Sequence, residues 1–578
     1  MKRKREGRSL RVWLASGLLL GGPLAGLSVL QRSAAADEPR YFAIKGAKVV
    51  PVAGPAIEGA TVVIAKGLIA EVGKDAAIPA EAWVIEGKDL TVYPGLVDAL
   101  SDIGLATPEA PAQAGGGRGR AGGPVTPEML SKGPQDRPAS TPWEDAADAL
   151  KADDKKIETW RAGGFTTALT APKTGLFPGQ GAVIDLAGAR PGDLVVKPDA
   201  TVQMTLNAPG GFMGFPGSLM GAISYIEQVY LDDQQDVDAQ RIYGGASRGN
   251  ERPEYDRVLR ALEAAQRAGE PVMIPANTAP QILRGLWLAD RIKAQPFLYG
   301  VQQGYAPGVA DALAAKKAVA LVNAKWPEKD KDADPEAEEP LRTLRFRDRA
   351  PGTPAALQKA GVRFAFYDGG LAGPKDMVKN VKKAIDAGLA PEAALRALTL
   401  SPAEFYGVSD RLGSIEVGKI ANLVVADGDL FNEKTKIKFV FVDGRKFEIK
   451  EAEKPKEAPK GDLTGTWSIS ISGQQGPMQA TAELTMAPGG SVTGTVTHPF
   501  GTSTISTGYL AGNSFSITIT VDAGDGPHDY TFSGTLEGNT IKGSISGPDF
   551  SAEFTGTRPS GGSATRNGAT RSQGGDHE

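Results

Sequence analysis

The chain has 578 residues, of which 41% are hydrophobic and 23% charged, and this balance excludes global disorder and predicts several folded domains. Lysine and arginine number 64 against 68 aspartates and glutamates, so a formal charge of −4 excludes a strongly basic surface, and no nucleic-acid partner is expected. The absence of cysteine excludes disulfides, thiolate metal ligands and cysteine nucleophiles.

The first 36 residues have the composition of an export signal. Basic residues cluster between Lys2 and Arg11, an apolar run follows from Val12 to Leu30, and small residues at Ala34–Ala36 precede Asp37. We expect residues 1–36 to be cleaved, leaving a periplasmic or secreted protein with no stable membrane span. Because the apolar run approaches the roughly 20 residues that cross a bilayer, an uncleaved membrane anchor is the alternative.

The middle of the chain alternates between helical and strand patterns from about residue 95 to 400, after short β-branched strands in residues 41–93. In the clearest unit, apolar residues from Val258 to Ala265 share one helical face, Gly269 ends the helix, and a strand follows from Pro271 to Ile274. Repeated alternation of this kind predicts an α/β fold, most simply a (β/α)8 TIM-like barrel.

Five further segments differ from this pattern in composition. Insertions at 106–141, rich in glycine and proline, and at 327–340, rich in charge, are expected to be solvated loops, with a lid over the barrel mouth as the alternative. Residues 449–460 have the composition of a linker. Alternating Ser and Thr in residues 461–558 predict an antiparallel β-barrel or sandwich of seven or more strands, and residues 559–578 a disordered tail.

Three motifs frame the predicted barrel. They are Val-Tyr-Pro-Gly-Leu-Val-Asp at Val92–Asp98, Leu-Gly-Ser-Ile-Glu-Val-Gly-Lys-Ile-Ala-Asn-Leu-Val-Val at Leu412–Val425, and Phe-Val-Asp-Gly-Arg at Phe441–Arg445. In this order they resemble the amidohydrolase superfamily, in its imidazolonepropionase-like branch of metal-dependent hydrolases. The resemblance implies a barrel over 95–407, a small composite β-sandwich built from 40–94 and 408–448, and hydrolysis of non-peptide C–N bonds with a metal, usually zinc.

The histidines that hold this metal in the family are replaced here. After Asp98 the family has His-X-His, and those two positions are Leu100 and Asp102. Pro275 stands where the family ends a strand in His, and Gln203 where relatives can carry Lys.

Histidine is absent from the whole predicted barrel. The chain has three histidines, His498, His528 and His577, and all follow it. Because a zinc centre of this family needs several imidazoles, the sequence predicts that no metal cofactor is bound. Ca²⁺ or Mg²⁺ held by carboxylates is the alternative.

One catalytic residue is retained by the resemblance. Asp368 follows the predicted strand 362–366 and matches the family's aspartate that activates the hydrolytic water, whereas a retained turn residue is the alternative. Asp98, Asp102, Gln203 and Asn277 complete the predicted pocket. The carboxylates of Asp98, Asp102 and Asp368 would converge at the barrel mouth, where they would either bind a hard cation or form a solvated acidic pocket.

The sequence thus leaves three functions open. The first is a pseudoenzyme that serves as a binding or assembly scaffold for an unknown small ligand. Its expected partner is an active paralogue or another exported protein, in a homo- or hetero-oligomer. The second is a hydrolase with a carboxylate-based metal site. The third is ligand or surface binding through the C-terminal β domain.

Overall fold

The computed structural model describes residues 41–105, 131, 133–207, 214–329, 338–371, 373–449, 457–473, 476–499, 501–522, 527–547 and 551–558. The predicted signal peptide, residues 106–130 of the first insertion, 330–337 of the second, 450–456 of the linker and the tail from 559 lie outside the described residues. The chain divides into two compact units, Met1–Ile449 and Lys450–Glu578. Within the described ranges, no helix combines the length and the apolar character needed to cross a bilayer.

Strands from both flanks of the first unit share one eight-stranded sheet. Its order is β16-β15-β14-β5-β1-β2-β3, and β4 pairs with β1. These strands are β1 (Tyr41–Val49), β2 (Ile57–Ala65), β3 (Leu68–Gly73), β4 (Trp83–Glu86), β5 (Thr91–Pro94), β14 (Leu423–Ala426), β15 (Ile437–Val442) and β16 (Arg445–Glu448). The two flanks meet where Leu423 pairs with Pro94, so the motifs at the two ends of the barrel are neighbours in space.

The central sheet nearly closes into a barrel. Its order is β13-β12-β11-β10-β9-β8-β7-β6, and β13 lies beside β6. The strands are β6 (Leu96–Ser101), β7 (Phe165–Thr170), β8 (Gln180–Asp185), β9 (Val195–Gln203), β10 (Val272–Pro275), β11 (Phe297–Tyr299), β12 (Val319–Asn323) and β13 (Arg363–Tyr367). The predicted TIM-like barrel is therefore confirmed.

One barrel strand departs from the all-parallel pattern. Strand β8 is antiparallel to both β7 and β9, whereas the other neighbouring pairs are parallel. The connection from β7 to β8, residues 171–179, is too short for the helical crossover that parallel strands require. A hairpin therefore replaces one strand–helix unit.

Helices surround the barrel, and the clearest predicted unit forms as expected. They are α1 (Lys155–Ala162), α2 (Pro191–Leu194), α3 (Leu219–Gly245), α4 (Arg257–Ala268), α5 (Ala279–Arg291), α6 (Val309–Ala315), α7 (Leu341–Arg349), α8 (Thr353–Lys359), α9 (Pro374–Asp386), α10 (Pro391–Ala397) and α11 (Leu400–Phe405). Helix α4 begins at the N-cap Asp256, buries Val258 and Leu262 among its apolar residues, and ends at Gly269, whose φ of 71° is left-handed.

The second unit contains a closed antiparallel β-barrel around its own core. Its strands follow chain order and close through β17 and β24. They are β17 (Gly465–Gly473), β18 (Gly476–Met486), β19 (Val492–His498), β20 (Gly501–Ala511), β21 (Ser514–Asp522), β22 (Pro527–Glu537), β23 (Thr540–Ser546) and β24 (Ser551–Thr557). The sequence patterns missed β20, because its register shifts between Ile505 and Thr507 and breaks the alternation of apolar residues.

Candidate functional site

A cavity of about 610 Å³ lies at the barrel mouth, at the carboxyl ends of the strands. Five consecutive strands, β9 to β13, each contribute their last residue to its wall. These residues are Gln203, Pro275, Tyr299, Asn323 and Tyr367. Strand ends in a barrel point into one shared space, which is why residues far apart in sequence meet here.

The predicted site residues divide between the cavity wall and the layer beneath it. Asp368, Gln203 and Asn277 line the cavity, together with Leu100 and Pro275 from the replaced histidine positions. Asp98 and Asp102 are not among the described residues that line it. The catalytic role of Asp368 remains a prediction.

Asp98 and Asp368 form a buried carboxyl pair where β6 meets β13. The backbone N–H of Asp368 donates to Asp98 Oδ1 at 3.2 Å, and the N–H of Leu100 donates to the same oxygen at 3.3 Å. The other oxygen, Oδ2, is buried and has no hydrogen-bond partner among the described residues. Burial and the neighbouring Asp368 raise the pKa of Asp98 well above its ordinary value, and burial also raises the pKa of Asp368. This pair therefore keeps a proton to a higher pH than an ordinary aspartate does.

Asp102 is engaged by two lysines and does not join that pair. Lys156 Nζ lies 2.9 Å from its Oδ1, and Lys173 Nζ lies 3.0 Å from its Oδ2. Although burial opposes it, these ammonium groups lower the pKa of Asp102. Both of its oxygens are thus bonded by cations of the protein itself.

Amide side chains supply much of the polar wall. Gln203 donates from Nε2 to Thr201 Oγ1 at 2.7 Å, and Gln281 Oε1 accepts from the backbone N–H of Asn277 at 3.0 Å. Asn277 Oδ1 is buried without a partner among the described residues. An acceptor left unpaired beside a cavity can take a hydrogen bond from a bound ligand.

Several lining residues were missed by the sequence analysis, including Lys173, Arg284, Asn323 and the two tyrosines at strand ends. Tyr299 donates its hydroxyl to the backbone oxygen of Met204 at 3.0 Å. Asn323 packs against Gly369, whose φ of 59° is left-handed and where any Cβ would collide with the Asn323 side chain. Asn323, Tyr299 and Tyr367 lie at the ends of consecutive strands, and that position was the available signal for these three residues.

The residues around the cavity do not fit a zinc centre. Leu100 and Pro275 have no ligating side-chain atom, and Asp102 is bonded by the two lysines. Among the described His, Asp and Glu residues, no three come together in an arrangement that could hold a metal ion. The expectation that no cofactor is bound remains a prediction, to be tested on the purified protein.

His498 offers no alternative nucleophilic site. Its Nε2 lies 3.0 Å from Ser503 Oγ, but that hydroxyl donates to the backbone oxygen of Thr520 at 2.6 Å. The serine proton is therefore directed to the backbone rather than to a base, which argues against a triad-type nucleophile.

An α/β barrel with polar residues converging at its strand ends is the architecture of many hydrolases. The sequence profile of the Amidohydrolase family matches residues 259–449. Over these residues the chain is similar to the amidohydrolase family, and its barrel has a hydrolase-like fold. No curated protein matches the chain.

Three solved structures are similar to this chain, and the first of them shares its fold. An amidohydrolase from Thermotoga maritima MSB8 is 25% identical with a TM-score of 0.58, and the similarity covers 70% of this chain and 100% of that one. A Xaa-Pro dipeptidase is 16% identical with a TM-score of 0.44, covering 71% and 100% of the two chains. An adenosine deaminase from Xanthomonas campestris is 16% identical with a TM-score of 0.40, covering 72% and 95%.

Proposed function

We propose that the chain is an exported amidohydrolase-like protein that binds a small polar ligand at its barrel mouth and lacks the metal-dependent hydrolysis of its family. The composition of the mouth is the observation that carries this proposal. Apolar Leu100 and Pro275 line the cavity, and the lysine-bonded Asp102 stands at the third replaced histidine position. A cavity of about 610 Å³ with amide and hydroxyl groups remains suited to a small ligand.

A protein that binds a ligand without converting it has its effect through the proteins with which it associates. We therefore propose an active paralogue or another exported protein as its partner, in a homo- or hetero-oligomer. Hydrolysis of non-peptide C–N bonds is the activity that the family suggests for that partner rather than for this chain.

Metal content tests the proposal directly. The natively purified mature protein is passed through gel filtration after incubation with Zn²⁺, Mn²⁺, Mg²⁺ or Ca²⁺ and analysed by elemental mass spectrometry. We expect far less than one equivalent of each metal, because the described residues at the mouth offer no set of three ligands for a metal ion.

A carboxylate-based metal site would give a different result. One equivalent of metal that is lost in Asp368→Asn, but retained in Asp376→Asn on the exposed surface of helix α9, would contradict the proposal and favour a hydrolase. The Asp376 variant removes the same charge at a distance from the cavity, so it controls for loss of net charge.

Ligand binding at the mouth is tested by ligand-observed NMR with a library of small polar fragments. We expect some fragments to lose their binding signal when Gln203 and Asn277 are both changed to Ala. The matched control is Asn250→Ala, which removes an exposed amide elsewhere. If every fragment gives the same binding signal with the double variant as with Asn250→Ala, the mouth is not a ligand site.

A further inference from the structure

A second cleft of about 410 Å³ lies alongside helix α1. Its walls are the first two turns of α1, the turn that follows β8, and the side chains of Arg445 and Phe447 from strand β16. It shares no lining residue with the mouth cavity. The cleft is therefore independent of the proposed function above.

Arg161 is the central cation of this cleft. Its side chain is partly buried, its Nη1 donates to the backbone oxygen of Leu186 at 2.7 Å, and its Cζ lies 4.0 Å from the centre of the Phe447 ring. Among the described residues, no carboxylate lies within ion-pair distance of it. Burial lowers the pKa of Arg161, against a weaker opposing effect of Glu158. A guanidinium that is desolvated without a carboxylate partner is costly, so its fixed position calls for an explanation.

Arg445 adds a second guanidinium on the neighbouring wall. It lies two residues before Phe447 on β16, and side chains two residues apart share one face of a strand. Arg445 is exposed, and in the part of the chain that the structure describes no carboxylate forms an ion pair with it. Arg161 and Arg445 therefore line the same cleft.

Two of the three acidic residues that line the cleft, Asp153 and Asp154, lie at the start of α1, and the exposed Glu158 lies one turn before Arg161. Asp154 is the N-cap of α1: its two oxygens accept from the backbone N–H groups of Lys156 at 2.9 Å and Gly104 at 2.7 Å. Arg161 follows seven residues later, which places it about 10 Å further along the helix axis. The arginine end is therefore the end at which an anion would be bound.

We propose that this cleft binds a small oxyanion, a carboxylate or phosphate group, between Arg161 and Arg445. Guanidinium groups bind both anions through paired N–H donors. Phe447 and the carbonyl of Leu186 hold the plane of Arg161 in place, so little side-chain freedom is lost on binding. Glu158 acts on Arg161 and Asp443 on Arg445 without forming an ion pair, so a bound anion would add a direct partner for both guanidinium groups.

Isothermal titration calorimetry on the mature full-length protein tests the site with two probes, inorganic phosphate and acetate, at constant ionic strength. We expect saturable binding of one equivalent of at least one probe, and the tighter probe identifies the preferred anion. In Arg445→Ala the affinity should fall about tenfold, and Arg161→Lys should weaken binding although it keeps the charge.

Arg190→Ala is the matched control, because Arg190 is exposed next to the cleft but pairs with Asp193 at 2.8 Å. Its affinity should equal that of the unchanged protein. The proposal is overturned if neither probe binds saturably, if Arg445→Ala retains full affinity, or if Arg190→Ala weakens binding as much as Arg445→Ala. Thermal unfolding of each variant shows whether it is folded. If Arg161→Lys does not fold, the affinity of Arg445→Ala decides the outcome, because Arg445 is exposed.

Discussion

Asp185 is a carboxyl group buried at the base of the barrel, where strand β8 ends beside the flanking sheet. It accepts hydrogen bonds from Thr167 Oγ1 at 2.8 Å and from Asn422 Nδ2 at 2.8 Å. Burial raises the pKa of Asp185 to about 7, because two neutral donors do not replace full hydration. A carboxyl with a raised folded pKa stabilises the fold at low pH, and that contribution is lost as the pH rises through the folded value.

The Asp185→Asn variant should therefore become more stable relative to the unchanged protein as the pH increases. Asn keeps the acceptor oxygen and cannot ionise, so its advantage should grow by about 2 kcal/mol between about pH 5 and about pH 8. Urea unfolding at several pH values measures the difference. The exposed Asp75→Asn should show no such trend, and a constant offset for Asp185→Asn would contradict the assigned pKa.

Individual site residues were predictable only where a motif fixed their position. Asp368 could be placed because it follows a recognisable strand and Gln203 because it matches a family position where relatives can carry Lys; both line the cavity. Asp98 was expected in the pocket wall but lies beneath it, because its motif also supplies a buried acceptor for two backbone N–H groups. The pairing of Asp102 with two lysines depends on contacts over long sequence separations, which a single sequence does not reveal.

At the level of elements, hydrophobic periodicity and capping residues predicted well whether a segment forms a helix or a strand. They predicted the direction of each strand in the sheet less well. The helix ending at Gly269 and the strand after it appear as expected. The reversal of β8 was not predicted, because a buried apolar strand has the same composition whether it runs up or down the barrel. Strand order and direction are set by connection length and by packing against neighbours.

Closure of the C-terminal barrel offers a test at this scale. Arg558, just after β24, lies with its Cζ 4.8 Å from the Trp467 ring of β17 and donates to the Thr464 oxygen at 2.6 Å. It thereby joins the first and last strands, so Arg558→Ala should destabilise the barrel by about 1–2 kcal/mol in urea unfolding. Lys542→Ala, which removes an exposed ion pair with Glu537, should change stability by less than about 0.5 kcal/mol. Equal effects of the two variants would contradict a closing role for Arg558.

At the scale of the whole molecule, the second unit has what independent folding requires. Its eight strands close without a free edge, and its core contains the fully buried Trp467. Composition indicated a separate C-terminal domain, since the linker and the Ser- and Thr-rich strands differ in amino-acid composition from the barrel.

A fragment of residues 457–558 should therefore unfold in one cooperative transition. Trp467 is the one tryptophan in this segment of the sequence, so its fluorescence reports on the barrel alone. We expect blue-shifted emission from the fragment that moves to longer wavelength in a single urea transition. A fragment whose emission is already that of exposed tryptophan would show that the barrel depends on the first unit. Surface binding by the C-terminal domain would then require the whole chain, whereas a stable fragment allows that function to be tested in isolation.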